Sequence, residues 1–465
     1  MQKVFGVIVA AVLLSTNNSG GVVIDDEPSG FDSQSDVAAA TGSDRDAIDV
    51  TALLASARGA PAMICSLAAQ SIRGWGNNTD APVTPLGKPV VVQNYDSPAT
   101  PLSASDVQLL LESLGSDDAC VREIAVRMIG RKGNSAVTSG LIERLSAPSA
   151  SLRTIAALGL GYGEPAEAVD PLIRALRDAE ASVRANSAWA LGHLENGKAL
   201  EPLLGLSRDN SEIVRESAMI AVGRLDSVRS ASTLIRVVRQ DESPAVRRAA
   251  AWALGQLEAR DAVEALSAAL SQDSDARVRE MSAWALGSIE SRAASASLLN
   301  AARRDADDRV RETAVWALGE IEDGSVADAV AQIAASDKSS RVRGTAAWAI
   351  GQMRDERGSV PSALLQLLRD ESADTRLKAA WAIGQIGDSS AIPAIRAAIK
   401  VEQNDQINHA LIRALLKSGE RSEAVFTELL DSKDARVREA AVRGLAGRSS
   451  FNPWPWPWPR PRPFP

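Results

Sequence analysis

The feature that most constrains the fold of this chain is a repeat of about 32 residues, which begins near residue 103 and recurs almost to the end. Its clearest copy, from Ser243 to Glu258, reads Ser-Pro-Ala-Val-Arg-Arg-Ala-Ala-Ala-Trp-Ala-Leu-Gly-Gln-Leu-Glu. The first arginine of each copy lies in register along the chain: Arg122, Arg153, Arg184, Arg215, Arg247, Arg279, Arg311, Arg343, Arg376 and Arg438, with Asn408 in the same position. Self-similarity at this period predicts stacked structural units.

Each unit contains two segments with helical periodicity. In the copy above, the apolar residues share one arc of a helix that turns about 100° per residue: Val246, Ala249, Ala250, Ala253, Leu254 and Leu257. A shorter periodic segment, such as 262–270, supplies the other helix. With no strand pattern and an aromatic content of 4%, the sequence predicts an all-α fold, a right-handed α-α superhelix or α-solenoid of about eleven two-helix repeats.

Two polar rows accompany the arginines. Four residues before the arginine, nearly every repeat has a residue that can cap a helix N-terminus, such as Ser243 or Asp275, and only Glu180 departs. Six residues before it lies a row of aspartates: Asp178, Asp209, Asp241, Asp273, Asp305, Asp337 and Asp370. Because both charges recur in register, we expect bidentate ion pairs between neighbouring repeats, not isolated surface charges.

These residues resemble a known repeat. The pattern Asp-(six)-Val-Arg-x-x-Ala-Ala-x-Ala-Leu-Gly is similar to the HEAT repeat, in the short bacterial form named after phycobilisome lyases, and it covers about residues 103–448. HEAT solenoids usually scaffold or bind other macromolecules, and the resemblance implies such a function here. The chain has a net charge of −8, and its 51 basic and 59 acidic residues are interleaved, which argues against a nucleic-acid partner.

The residues before the repeats divide into four segments. We expect a signal peptide at 1–19, where one lysine precedes a short apolar stretch, then an acidic disordered linker at 20–47. A degenerate helical cap at 48–76 and a Pro/Gly-rich connection at 77–102 precede the solenoid at 103–450. The apolar stretch is too short for a stable membrane anchor. We therefore expect export to the periplasm or beyond, the alternative being an apolar disordered start on a cytoplasmic protein.

Two cysteines, Cys65 and Cys120, lie in the cap and in the first full repeat. In an exported chain they can form one disulfide that joins these two parts. The alternative is a pair of buried free thiols, since each has apolar helical neighbours.

Residues 451–465 form a Trp/Pro/Arg-rich tail. Alternate prolines exclude helix and sheet and favour the extended polyproline II form. The tail is one candidate ligand for the repeats, in its own chain or in a neighbouring one. The other possibility is contact with a membrane interface through its tryptophans, Arg460 and Arg462, which would be weak with only two cations.

A row of tryptophans is the candidate binding site. The position five residues after the arginine holds six of them: Trp189, Trp252, Trp284, Trp316, Trp348 and Trp381. This position lies far from the core arc, so the row predicts an aromatic ladder along the concave face. Beside it run Gln256, Glu320, Gln352 and Gln385, a setting that suits an extended peptide with prolines or cations.

A glycine row, which includes Gly255, Gly287 and Gly319, indicates a close approach to the helix backbone, and a ligand is one explanation. The alternative is that the tryptophans cover the seams between repeats and bind no ligand.

The sequence does not indicate an enzyme. Its two histidines, His193 and His409, belong to separate repeats, and no metal site, cofactor site or catalytic set is expected. The paired His-Glu motifs of HEAT-type deoxyhypusine hydroxylases are missing from the sequence. The leading hypothesis is a non-catalytic scaffold that binds a protein or extended peptide on the tryptophan row. The alternatives are a structural spacer with a membrane- or envelope-binding tail and, less favoured, a phycobilin-lyase-like enzyme.

Overall fold

The computed structural model describes residues 49–71, 81–86, 102–129, 134–353, 358–420 and 422–430, together with 435, 438, 439, 441 and 442. The expected signal peptide, acidic linker and Trp-Pro tail lie outside the described residues, as does most of the connection at 77–102. The chain divides into two compact units, residues 1–225 and 226–465, and each is described by itself.

Each repeat consists of a first helix and a second helix. The first helices are Ala104–Ser113, Ser135–Arg144, Val169–Ala175, Leu200–Gly205, Ala231–Gln240, Val263–Gln272, Ser295–Arg304, Ala327–Ser336, Ser362–Leu367, Ile392–Val401 and Glu423–Leu430. The second helices are Ala119–Ile129, Ala150–Gly163, Ala181–Leu194, Glu212–Arg224, Pro244–Gln256, Ala276–Ile289, Asp308–Ile321, Ser340–Met353, Ala373–Ile386 and Asp405–Lys417. A three-residue 3₁₀ turn, such as Arg260–Ala262, leads into most of the first helices.

The helices are packed in consecutive pairs, which confirms the all-α solenoid. Within a repeat the first helix packs against the second, as Val263–Gln272 does against Ala276–Ile289. Second helices of successive repeats also pack against each other, much more extensively than first helices do. The predicted core arc is buried in the copy that defined it, since Val246, Ala250 and Leu254 are fully buried.

The expected capping residues begin most of the second helices. The Ser243 hydroxyl accepts a hydrogen bond from the Val246 amide, and the Asp275 carboxylate accepts from the Arg277 and Val278 amides. These bonds satisfy amides that have no partner within the helix. Glu180 makes no side-chain cap, as the sequence suggested, and neither does Ser211.

The Asp/Arg ladder is present and bidentate. Arg247 donates from Nε to Asp273 Oδ2 at 2.7 Å and from Nη2 to Asp273 Oδ1 at 2.8 Å, while Nη1 donates to the Asp241 carbonyl of its own repeat. The same ion pair recurs in both units: Arg153–Asp178, Arg184–Asp209, Arg279–Asp305, Arg311–Asp337, Arg343–Asp370 and Arg376–Glu402. Each arginine therefore connects its second helix to the next repeat.

The ladder changes the acidity of its carboxylates. The hydrogen bonds from Arg153 hold the pKa of Asp178 below its usual value. At Asp273, burial would raise the pKa, but the hydrogen bonds from Arg247 and the Asp275 amide outweigh it, and the net pKa is lowered. These carboxylates are therefore stabilised in their charged form.

Two helices precede the repeats, Val50–Ala57 and Ala62–Ser71, and both pack against the second helix Ala119–Ile129. A disulfide between Cys65 and Cys120 joins them to that helix, with a Cα–Cα distance of 5.6 Å. Of the two alternatives for the cysteines, the disulfide is confirmed. No helix in the described ranges is both long enough and apolar enough to cross a bilayer.

Candidate binding face of the second helices

The six tryptophans of the row differ in exposure. Trp189, Trp252 and Trp348 are buried, with 3%, 7% and 2% of their surface exposed. The other three, Trp284, Trp316 and Trp381, are half-buried. The row therefore does not present six open rings.

In the second unit, four rings of the row each pack against a glycine of the preceding repeat. A Cβ built on Gly255 would stand 2.7 Å from Cζ3 of Trp284, and one on Gly319 would stand 2.5 Å from Cζ3 of Trp348. The pairs Gly287–Trp316 and Gly351–Trp381 repeat the contact at 2.8 and 2.6 Å. Any larger residue at these glycines would collide with the indole.

This packing corrects the interpretation of both rows. The glycines are close-approach positions, as expected, but what approaches them is the tryptophan of the next repeat and the backbone of its second helix. The expectation of an open ladder is wrong for the three buried rings. Of the two alternatives, packing in the seams between repeats is what the structure shows, and it leaves an accessible part only on Trp284, Trp316 and Trp381.

The first unit has the same arrangement with more aromatic partners. Trp189 lies against Gly161 of the preceding repeat and contacts the Tyr162 ring edge-on, with 5.4 Å between centroids. The centroid of the His193 ring lies 4.5 Å from that of Trp189. His193 thus packs on an aromatic ring of its own helix.

Polar side chains follow four tryptophans of the second unit by one helical turn, four residues later in each case. Gln256 is exposed, and Glu320, Gln352 and Gln385 are half-buried. Glu280 and Glu312, which lie one helical turn before Trp284 and Trp316, are also half-buried. The name second-helix face is used below for the surface made by these residues and the accessible rings: Gln256, Glu280, Trp284, Glu312, Trp316, Glu320, Gln352, Trp381 and Gln385.

The second-helix face favours positive charge. Burial raises the pKa of Glu280 and of Glu312 above the usual glutamate value. Nearby cations oppose the rise only in part: at Glu312 they are Arg341, whose Nη1 lies 3.8 Å from Glu312 Oε2, and Lys378, and at Glu280 the larger contribution comes from Arg309. A carboxylate that is partly desolvated in this way gains free energy from an added cation.

Asn186 makes a buried contact that the sequence analysis missed. It lies on the second helix Ala181–Leu194, three residues before Trp189 and therefore on the same side of the helix, and it is fully buried. Its amide pairs with the backbone of Val83, accepting from Val83 N at 3.1 Å and donating to Val83 O at 3.0 Å. It also donates to the Thr154 carbonyl of the preceding repeat at 3.0 Å.

The partner of Asn186 belongs to a segment without helix or strand. Residues 81–86, Ala-Pro-Val-Thr-Pro-Leu, lie against the second helices of the first unit, and Ala81 and Thr84 are buried there. One signal was available in the sequence: an amide at a position where Ile124, Ile155 and Ala249 are apolar. Nothing in the sequence indicated which distant segment it would meet.

A candidate metal site is not found in the described part of the chain. No group of three or more His, Cys, Asp or Glu side chains there could hold a metal ion. The two histidines lie in different repeats, and His193 packs on Trp189.

The repeat pattern decides the family. The profile of the HEAT repeats matches residues 138–223, 231–311, 295–362 and 360–446, which is more than half of the chain. The chain belongs to the HEAT-repeat family. No curated protein matches the sequence.

Solved structures with similar HEAT-type folds include importins. The match to importin beta covers 85% of this chain and 62% of the importin chain, with 12% identity and a TM-score of 0.58. Yeast importin-beta (Kap95p) gives 14% identity, 85% and 62% coverage and a TM-score of 0.53. The CpcE–CpcF complex of phycocyanin lyase from Nostoc sp. PCC7120 shares 24% identity over 53% of this chain and 93% of that chain, with a TM-score of 0.33. The chain therefore has the HEAT-repeat scaffold fold, which is consistent with protein binding.

Proposed function

We propose that this protein is a non-catalytic HEAT-repeat scaffold that binds an extended segment of a protein partner on its second-helix face. A protein partner fits the fold, because Kap95p, which has the same kind of fold, binds RanGDP. The proposal places the partner's backbone across successive second helices and its side chains between the half-buried tryptophans.

The observation that carries the proposal is the contact between Asn186 and Val83. An amide on a second helix binds both the N–H and the C=O of an extended residue that is 103 positions away in sequence. Both bonds go to the backbone, so they do not require a valine at that position. The first unit thus already holds an irregular peptide, with two prolines in six residues, against its second helices.

The chemistry of the second unit favours a partner segment with cations and prolines. Glu280, Glu312 and Glu320 are half-buried beside Trp284 and Trp316. A lysine or arginine placed there would meet carboxylates and the faces or edges of indole rings. Proline would cost little, because the segment held against the first unit already contains Pro82 and Pro85 beside the bound residue Val83.

The test is a peptide selection against the full chain, followed by affinity measurements with the selected peptides. We expect enrichment of peptides with lysine or arginine, measured as fluorescein conjugates by anisotropy. Glu320→Arg should weaken their binding about tenfold, because the new arginine would repel the lysine or arginine of the peptide. Asp328→Arg, which makes the same charge change on an exposed first-helix residue, is the matched control and should bind as the native chain does.

Two outcomes would contradict the proposal. One is a selection that enriches no peptide over a column of denatured protein. The other is an equal loss of binding in both variants, which would show that total charge and not the second-helix face governs the interaction.

Two further parts of the proposal concern reaction and location. The protein is proposed to have no catalytic activity, in contrast with a phycobilin-lyase-like function. It is proposed to be exported, and the Cys65–Cys120 disulfide supports this because disulfides persist in oxidising compartments. Fractionation with a thiol-alkylation assay tests the location: a reduced, cytoplasmic protein would contradict it.

Membrane contact through the tail is the alternative to a protein-binding role, and liposome sedimentation with and without residues 451–465 separates the two.

A further inference from the structure

One seam of the second unit keeps the glycine but not the tryptophan. Gly384 corresponds to Gly255, Gly287, Gly319 and Gly351, each of which carries the indole of the next repeat. In the next repeat Arg413 takes the tryptophan position. Among described residues, the atoms nearest to a Cβ on Gly384 belong to Ala414, with Cα at 3.2 Å and Cβ at 3.4 Å.

A cavity lies in this seam. It is open to solvent, has a water-accessible volume of about 40 Å³, and lies between the second helices Ala373–Ile386 and Asp405–Lys417. Its lining combines small and apolar residues with polar ones: Leu377, Ala380, Trp381, Gly384, His409 and Arg413. The lining is what an indole needs, since it offers an aromatic ring, a glycine and a guanidinium.

The guanidinium of Arg413 does not fill the site as a tryptophan would. It is half-buried, and burial lowers its pKa from the usual arginine value. A cation that has lost part of its hydration gains from the negative face of an aromatic ring laid against it.

We infer that the Gly384 cavity is a binding site for an indole side chain, and that its occupant is a tryptophan of the chain's own tail. The tail carries three of the ten tryptophans of the sequence, Trp454, Trp456 and Trp458, whereas six others form the repeat row. The inference does not rest on the proposed partner binding, because the ligand is a segment of the same chain.

The chain is long enough for this contact. Ala441 is buried in one cluster with Ile412 and Leu416. Ile412 immediately precedes Arg413, and Leu416 follows it by three residues. Trp454 follows Ala441 by 13 residues (454 − 441), and an extended chain of that length reaches about 40 Å. A ligand tethered in this way has an effective concentration in the millimolar range, so a contact by a single ring is sufficient to be populated.

The first test is photocrosslinking within the full chain. The variant Trp456→p-benzoylphenylalanine keeps an aromatic ring in the tail and should crosslink, in the monomer, to peptides from residues 373–417. Arg413→Trp supplies the ring that the other seams have, and it should reduce this crosslink about tenfold, since the site can hold only one indole. Lys400→Trp is the matched control, because it adds the same ring at an exposed position of the first helix Ile392–Val401, outside the cavity, and should keep the crosslink.

Three results would overturn the inference: crosslinks only to other parts of the chain, crosslinks only between two chains, or an unchanged yield in Arg413→Trp. Circular dichroism and thermal unfolding are the checks that each variant is folded.

A second test does not alter any helix. The triple tail variant Trp454→Ala, Trp456→Ala and Trp458→Ala should exchange the amide hydrogens of helices Ala373–Ile386 and Asp405–Lys417 several-fold faster than the native chain. Helix Ala276–Ile289, whose seams have their own tryptophans, is the internal control and should be unchanged. Equal exchange in both proteins would contradict the inference even if the peptide selection described above succeeds.

Discussion

At the scale of the residue, the solenoid depends on a complementarity between glycine and tryptophan. The glycine lies eight residues after the aligned arginine of one repeat. The tryptophan that packs on it lies five residues after the aligned arginine of the next repeat, so the two residues belong to different helices. Without a Cβ at Gly319, the Trp348 ring and the backbone at Ala349 can both come within contact distance. The glycine costs helix propensity, and the buried indole offsets that cost.

Gly319→Ala should therefore destabilise the protein by about 1–3 kcal/mol, because its Cβ would stand 2.5 Å from the Trp348 ring. Gly324→Ala is the control and should be nearly neutral, since only the Met353 carbonyl lies near, at 3.9 Å. Urea unfolding followed by circular dichroism measures both. In a double-mutant cycle, Trp348→Leu should remove most of the cost of Gly319→Ala. Additive effects would show that the two residues do not interact.

The ladder carboxylates make stability depend on pH. Because the folded-state pKa of Asp273 is lowered, its contribution is complete above the unfolded value near 3.8 and is lost as the pH falls through the folded pKa. We expect Asp273→Asn to cost about 2 kcal/mol at neutral pH and to flatten the loss of stability between about pH 5 and pH 2. Asp261→Asn, at an exposed position, should leave the urea midpoint unchanged across that range. A native-like pH dependence in Asp273→Asn would contradict the role of the ladder.

At the scale of the element, the second helices end in an unusual way. The residue eleven after the arginine has a positive φ in six repeats, and it is acidic in all of them: Glu164, Glu195, Asp226, Glu258, Glu290 and Glu322. Gly387 and Gly419 occupy the same position in later repeats, with φ of 71° and 89°. A left-handed residue lets the chain turn into the next first helix, and glycine adopts that conformation without steric cost.

Glu322→Gly should therefore stabilise the protein by about 0.5–1 kcal/mol, because φ at this position is 51°. Glu322→Ala is the matched control, since alanine has a Cβ and should show no gain. Thermal unfolding of the two variants beside the native chain gives the comparison. A loss of stability in the glycine variant would mean that the glutamate side chain makes a contribution larger than the backbone cost.

At the scale of the whole molecule, the start of the repeats depends on a covalent bond. A solenoid is weakest at its ends, because a terminal repeat has a neighbour on one side only. The helices Val50–Ala57 and Ala62–Ser71 cover the first full repeat, and the disulfide between Cys65 and Cys120 closes a loop with a sequence separation of 55.

Reduction of this disulfide should release the two preceding helices before the rest of the chain unfolds. Loop closure of this length stabilises a folded state by about 4 kcal/mol. Hydrogen exchange with and without reductant should show faster exchange at Val50–Ala57, Ala62–Ser71 and Ala119–Ile129, and no change in the second unit. The double variant Cys65→Ser, Cys120→Ser should exchange quickly in both conditions. Protection that is insensitive to reductant in the native chain would show that packing alone holds this end.

The sequence by itself determined the helices, their caps, the arginine ladder and the cysteine pair. Those features depend on local periodicity or on residues at the same place in successive repeats, and a period of about 32 residues makes both visible in one chain. The ladder could be predicted because Arg247 and Asp273 recur together, and charge complementarity leaves few other partners.

Only the tertiary structure decided what the tryptophans do. A helical wheel places Trp348 relative to its own helix, but it contains no information on the distance to the neighbouring helix, which Gly319 sets. The same holds for Asn186, whose partner Val83 is distant in sequence, and for the cavity in the seam where Arg413 replaces the tryptophan of the repeat row. Contacts between elements depend on how closely the backbones approach, and that distance results from the packing of the whole stack.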